Sequence, residues 1–460
     1  MSRDQGTTWR DNEFSGADFG DPRLTKRLIQ IAQKLANNPQ ASIPQACGTW
    51  EETKAAYRFF DNEKVNEHSI QEPHQQATHD RAKKYATVLA VQDTTQLDFT
   101  HHPATQGLGM LNDQAHQGFF YHPTLLVTPG KVPLGIIDHQ VWERPAEDCG
   151  KRHQRKQKPI TEKESQKWLH SLRKTAQLQE ELPQVQMVNV ADREADIYDY
   201  FQLAHKLEVD VLVRAAWNRR IDQPEKYLWD HMAHLPVSQY LTIAVPRKPG
   251  QAKREAVLSL RYSKVALQPP RHRYREKDLQ PVTVWVVYAH EENPPAGLAA
   301  ISWMLLTTLT VQNALEAEEK VQWYTCRWQI ELLFKVLKSG CRIEQLQLET
   351  AVRLRRCLAV YALIAWRVLF LTMQSREVPN LPCDILLEVE EWQALYCYIH
   401  HTTSPPMQPP TLREATRMIA RLGGFLGRKG DGHPGATTIW RGLQRLQDIA
   451  AAWSLGRQVT

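Results

Sequence analysis

The sequence predicts an α/β fold with a mainly β insertion and helical regions at both ends. Three observations carry this. TVLAVQD, ending at Asp93, and QMVNVAD, ending at Asp192, are continuous apolar runs that read as strands buried on both faces. YLTIAVP, AVLSLRY, PVTVWVVYA and ISWMLLTT read as strands with turns between them. The two ends of the chain instead carry apolar residues at helical spacing. The expected divisions are 1–75 for an N-terminal helical region, 76–375 for the α/β core with its β-rich insertion at about 215–310, and 376–460 for a C-terminal helical region.

In chain order, Asp21-Pro22 opens a helix, with aspartate as the cap and proline at the first helical position. Leu24, Leu28, Ile31 and Leu35 form its apolar stripe, and Arg23, Lys26, Arg27 and Lys34 lie off it. Thr49 and Glu52 make a capping box for a second helix that runs through Ala55, Ala56, Tyr57 and Phe59. Short helices with a basic outer face suit a small DNA-binding module, and a plain helical subdomain as well. After the Asp93 strand, FFYHPTLLVT and KVPLGIIDHQVW form a hairpin about Pro129-Gly130. A charged loop over 149–167 leads into a helix at 162–179. READIYDYFQLAHK is the helix after Asp192, and VDVLVRA is a third core strand ending near Arg214. The apolar run over 357–373 is broken by Arg367 and reads as a buried helix rather than a membrane span.

Hydrophobic residues make up 42% of the 460 residues, enough to build a core and to exclude a disordered chain. The net charge of +6 is mild, but three local basic runs are more telling: KRHQRKQK, RKPGQAKR and RHRYREK. Each alone suits a solvated loop; together they favour a polyanionic partner. Seven cysteines without any C-x-x-C pair argue against a disulfide framework and a structural zinc site, and for a reducing cytoplasm. Cys149 with His153, and His101 with His102, are isolated pairs of the kind that occur incidentally. The N-terminus lacks an apolar leader, so no signal peptide is expected.

Tyr324, Arg327, Glu331 and Lys338 follow the spacing Y-x2-R-x3-E-x6-K. On one continuous helix, at about 100° per residue, they fall within an arc of roughly 60°. Leu332, Leu333, Val336 and Leu337 would form the buried stripe opposite. A face with one carboxylate, two cations and a tyrosine suits a nucleic-acid backbone. Asp93 and Asp192 close strands, where sites in α/β sheets are built, and Glu331 is a third hard oxygen donor. Such a set suits one or two Mg²⁺ or Mn²⁺ ions and in-line phosphodiester chemistry. Each acid also has a structural use: Asp192 as a helix cap, Asp93 in an Asx-turn, and Glu331 paired with Lys335. Taken jointly, the order strand-Asp, strand-Asp, helix-Glu is the ribonuclease-H-like plan.

With these residues in view, the chain resembles the bacterial cut-and-paste DDE transposases of the insertion-sequence-four family. ADREADIYDY around Asp192 and the spaced Tyr324, Arg327, Glu331 and Lys338 are similar to its two signature blocks. FGDPRLTKRL, AAYRFF, VQDTTQLDF, VLVRAAW, ENPPAGLAAISWMLLTT and RMIARLGGF extend the similarity along the chain in the family's order. The loops over 143–158 and 246–277 and the linker HHTTSPPMQPP diverge from it.

The resemblance implies that Asp93, Asp192 and Glu331 are the catalytic metal ligands for two Mg²⁺ (or Mn²⁺) ions. Tyr324, Arg327 and Lys338 would hold phosphates of the transposon end, including a hairpin intermediate. Trp303 would stack on a flipped base, although its place in a strand also suits a core tryptophan. Trp328, Arg214, Arg23, Arg27 and Arg58 are further candidate DNA contacts. The implied reaction binds terminal inverted repeats and nicks one strand. The freed 3′-hydroxyl then forms a hairpin, water opens it, and the ends join target DNA. The implied assembly is a homodimer bridged by transposon ends, in the cytoplasm and at the nucleoid, with no membrane partner. Two rival readings remain, the first of them on the same fold. A regulatory DNA-binding protein would be expected to have lost one of the three acids, all present here. A structure-selective nuclease without strand transfer would need neither the hairpin-handling set nor Trp303.

Overall fold

The computed structural model describes residues 8–113, 115–144, 159–245, 253–273, 276 and 279–459. Five helices come first: α1 (Trp9–Phe14), α2 (Pro22–Asn37), α3 (Ile43–Cys47), α4 (Trp50–Asp61) and α5 (Glu67–Ala82). Five strands follow: β1 (Thr87–Gln92), β2 (Thr95–Asp98), β3 (Gly109–Met110), β4 (Gln117–Val127) and β5 (Pro133–Trp142). Next are α6 (Gln166–Glu181), β6 (Gln186–Ala191), α7 (Tyr198–Lys206), β7 (Asp210–Arg214) and α8 (Leu228–His234). Strands β8 (Gln239–Val245), β9 (Arg254–Leu267), β10 (Val282–His290) and β11 (Ser302–Thr307) precede α9 (Ala314–Thr325) and α10 (Trp328–Lys335). The chain ends in α11 (Ala351–Glu377), α12 (Val389–His400), α13 (Leu412–Leu422) and α14 (Ala436–Val459). The basic run at 151–158, and much of the other two, lie outside the described residues.

Two compact units divide the chain. One comprises Met1–Lys84, Thr94–Arg152 and Gln329–Thr460. Its β4 and β5 form the expected hairpin, flanked by β2 and β3 on β4. Helix α11 lies at its centre, packed on β5, α5, α2, α4, α13 and α14. The tools of helix initiation are those the sequence displays. Asp21 caps α2 by accepting from Arg23 N at 3.0 Å, with Pro22 in the first turn. Thr49 accepts from Glu52 N at 3.2 Å to start α4, but the expected capping box is only half made, since the Glu52 carboxylate pairs with Lys34 at 3.1 Å.

An ion-paired cluster sits inside this unit. His74 Nδ1 meets Glu13 Oε2 at 2.5 Å, and Ile136 N donates to His74 Nε2 at 2.9 Å. The ring is therefore held as the neutral tautomer with its proton on Nδ1. Arg81 Nη1 pairs with Glu13 Oε1 at 2.7 Å while its guanidinium lies 4.5 Å from the Trp366 ring.

The other unit comprises Tyr85–Asp93 and His153–Trp328. Its strands run in the order β1-β6-β7-β11-β10-β9-β8. The first three are parallel, and the remainder continue the sheet in antiparallel pairs. Parallel strands covered by helices read as unbroken apolar runs, which is why TVLAVQ and QMVNVA were legible. Helices α6 and α7 cover this part of the sheet, and Trp168, Leu172, Tyr200, Phe201, Val211 and Val213 belong to the shared core.

Two expectations need correction. The helix after Asp192 does not start at once: a 3₁₀ turn, Arg193–Ala195, intervenes before α7. The one-sided helix from Tyr324 to Lys338 is not continuous either. It is α9, a tight turn at Cys326 and Arg327, then α10, and then a π-helical segment, Val336–Gly340. In the turn, Cys326 N bonds Trp323 O and Arg327 N bonds Tyr324 O, an i to i−3 pattern that cuts the helix. The 60° arc presumed one uninterrupted α-helix, and no such helix spans these residues. The opposite apolar stripe survives in part, since Leu333, Val336 and Leu337 are fully buried.

Candidate active site

The site begins with strand register. On β1 and β6, Val91 lies opposite Val190; carried two residues further, the same register sets Asp93 beside Asp192. On β6 and β7, Ala191 lies opposite Val213, so the next pair is Asp192 and Arg214. Neighbouring strands are about 4.8 Å apart, so the three residues form a row across the carboxyl ends of the parallel strands. A side-chain ladder fixes that register from within. Gln92 Nε2 donates to Asn189 Oδ1 at 2.8 Å, and Asn189 Nδ2 donates to Asp210 O at 3.2 Å.

The charges in the row are unevenly balanced. Arg327 Nη1 pairs with Asp93 Oδ2 at 3.0 Å. Asp192 Oδ1 accepts from Glu194 N at 2.8 Å, so it caps the 3₁₀ turn rather than α7. Burial nevertheless raises the Asp192 carboxyl above its usual range, against the pull of that hydrogen bond and of Arg327. Arg214 Nη2 donates to Ser302 O at 2.9 Å, and burial lowers its pKa while Tyr324 works the other way. Tyr324 is only 5% exposed, and its ring meets the half-buried Trp303 edge-on, with centroids 5.4 Å apart. Asp93, Asp192, Arg214, Trp303, Tyr324 and Arg327 thus belong to one unit.

Glu331 and Lys338 belong to the other unit. Glu331 is half-buried in the first turn of α10. Lys338 lies in the π-helical segment and pairs with Glu344 at 3.0 Å, and the same carboxylate oxygen accepts from Asp98 N. Trp328 is half-buried at the start of α10. Arg23 folds back on its own cap residue, Asp21, at 2.8 Å with its side chain 91% exposed. Arg27 is half-buried on α2, and Arg58 is exposed on α4.

Sequence reading missed the Gln92–Asn189 ladder and the buried Asp196. Asp196 lies four residues past Asp192, inside the ADREADIYDY block, and binds the loop after β7. A second aspartate so close to the first was the one available signal.

The donors present fit a divalent cation. Two carboxylates at the ends of neighbouring strands offer hard oxygens, and the desolvated Asp192 charge is one that a cation would stabilise. Among the described residues, no three His, Cys, Asp or Glu side chains are grouped closely enough to hold a metal ion on their own.

A sheet whose parallel strands end in aspartates has the ribonuclease-H-like plan of metal-dependent phosphoryl transfer. Residues 6–65 match the transposase DNA-binding family, residues 133–366 the transposase DDE domain, and residues 363–457 the transposase Tn5 dimerisation domain. The chain belongs to the DDE transposases and is Tn5-like. It is a DNA transposase, dependent on divalent metal, with DNA as partner and a dimeric assembly.

Proposed function

We propose that this transposase moves DNA by a cut-and-paste route through a hairpin intermediate, acting on the terminal inverted repeats of its own element. The row of Asp93, Asp192 and Arg214 supports this reading most directly. Asp93, Asp192 and Glu331 are assigned as the ligands of two Mg²⁺ (or Mn²⁺) ions, which when bound supply Lewis-acid stabilisation to the oxygens of the scissile phosphate. Arg327 steadies the Asp93 carboxylate and, with Tyr324 and Lys338, donates to phosphates of the transposon end. Trp303, braced by Tyr324, offers its ring to a flipped base; Arg214 and Trp328 contact DNA beside it. Arg23, Arg27 and Arg58 engage the end through the N-terminal region, assigned as 1–75. Residues 76–375 form the catalytic domain with its insertion at about 215–310, and 376–460 the dimerisation region. The working assembly is a homodimer that holds two transposon ends, captures target DNA, and acts in the cytoplasm at the nucleoid.

Sequencing the DNA that flanks the gene supplies the inverted repeats. Incubation of the protein with Mg²⁺ and a labelled duplex carrying such an end should release flanking DNA, a hairpin and joined product. Hydrolysis without hairpin or joined product would sink the proposal. Alanine at Asp93, Asp192 or Glu331 should each lower cleavage more than about a hundredfold while end binding persists. Cleavage retained by any one variant removes that residue from the ligand set.

A further inference from the structure

Three residues past Arg214, at the same carboxyl-end rim of the parallel strands, the chain presents Trp217 with 66% of its surface exposed. Isolated surface tryptophans occur in many proteins and need no explanation. This one differs in how firmly its backbone is held. Asp196, 3% exposed, accepts from Ala216 N at 2.7 Å and from Trp217 N at 3.1 Å through Oδ2. Its other oxygen accepts from Arg219 Nε at 2.7 Å, and Arg219 Nη2 also donates to Asp196 O at 2.6 Å. Ala215 N donates to Met304 O at 2.7 Å, and Asn218 Oδ1 accepts from Trp229 N at 2.8 Å. A buried carboxylate thus gives both oxygens to one short loop, and that clamp holds the backbone that carries a solvent-facing indole.

We propose that Trp217 is a base-stacking residue of this transposase, receiving an unpaired nucleotide at the rim beside Asp192 and Arg214. An indole on a rigid backbone loses little entropy on binding, and it accepts any base, because every base has a π-face. Arg219, the nearest cation in the sequence, is committed to Asp196. The inference rests on the chain being a DNA transposase, and not on which residues hold metal or whether a hairpin forms.

Fluorescence anisotropy tests it with full-length protein in EDTA, where no strand is cut. One probe is a labelled 30-base-pair duplex with a six-nucleotide single-stranded overhang, and the other is the same duplex with blunt ends. Trp217→Ala should weaken binding to the overhang probe about tenfold and to the blunt probe less than about twofold, with unchanged thermal melting. Trp217→Phe should recover most of the loss, because it retains an aromatic face. Wild-type affinity of Trp217→Ala for the overhang probe, or an equal loss on both probes, overturns the proposal.

Discussion

Asp93 and Asp192 were readable because each ends an apolar run too hydrophobic to be anything but a buried strand. Their environment was not. The Arg327 partner of Asp93 lies 234 residues away in sequence, a contact that no local spacing encodes. The pairing also adds a role to Arg327, which sequence spacing presents only as a phosphate ligand. As the guanidinium competes with cations for Asp93, Arg327→Ala should tighten Mn²⁺ binding in the absence of DNA. The expected gain is about two- to fivefold, the worth of a partly exposed ion pair, and isothermal titration would measure it. Cleavage should fall in the same variant; unchanged or weaker Mn²⁺ binding would contradict the competition.

Elements were legible in proportion to how apolar their buried faces are. The strands of the parallel sheet and helix α2 show their periods openly. Helix α5 does not, because its buried residues include Gln71, Pro73, His74 and Thr78, so the core-facing side is largely polar. The break between α9 and α10 was equally hidden: neither Cys326 nor Arg327 is a helix breaker, and tertiary packing overrides their propensity. Two consequences can be measured. Asn189→Leu leaves the fully buried Gln92 amide without its partner and should cost about 1–3 kcal/mol in a urea melt. The buried His74–Glu13–Arg81 cluster should make the protein acid-sensitive. Burial holds the His74 pKa below its ordinary 6.5, so the unfolded chain takes up that proton first. Stability is therefore present above that value and is lost as pH falls below it. Glu13, although burial pushes its carboxyl upward, is held low on balance by Arg81 and His74, and its contribution is lost at lower pH, below its ordinary 4.5. His74→Gln should lower the melting temperature at pH 7 by about 2–4 °C per kcal/mol lost and flatten its decline between pH 7 and 5. A wild-type-like slope in that variant would remove His74 as the cause.

At the scale of the whole molecule, the sequence revealed the run of helical, α/β, β-rich and helical segments, since each has its own period. How the chain divides into compact units was not legible, because each unit gathers segments far apart in sequence. Helix α11 shows what such gathering entails. It is long and apolar enough to cross a membrane, yet most of it is buried inside the protein. Trp366 donates to Pro133 O at 2.8 Å, Arg367 lies 4.4 Å from the Trp9 ring, and α13 and α14 pack against it from later in the chain. On the ribosome, the walls supplied by α1, α2, α4, α5 and β5 are made before α11 emerges, whereas α13 and α14 are made after it. A nascent chain that stalls between these events carries a greasy rod of 27 residues covered on one side only. A chain truncated after Glu377 should accordingly pass into the insoluble fraction, while supplying 378–460 as a separate polypeptide during expression should return part of it to solution. Translation past α11 is thus a race between synthesis of its last cover and aggregation of its exposed side.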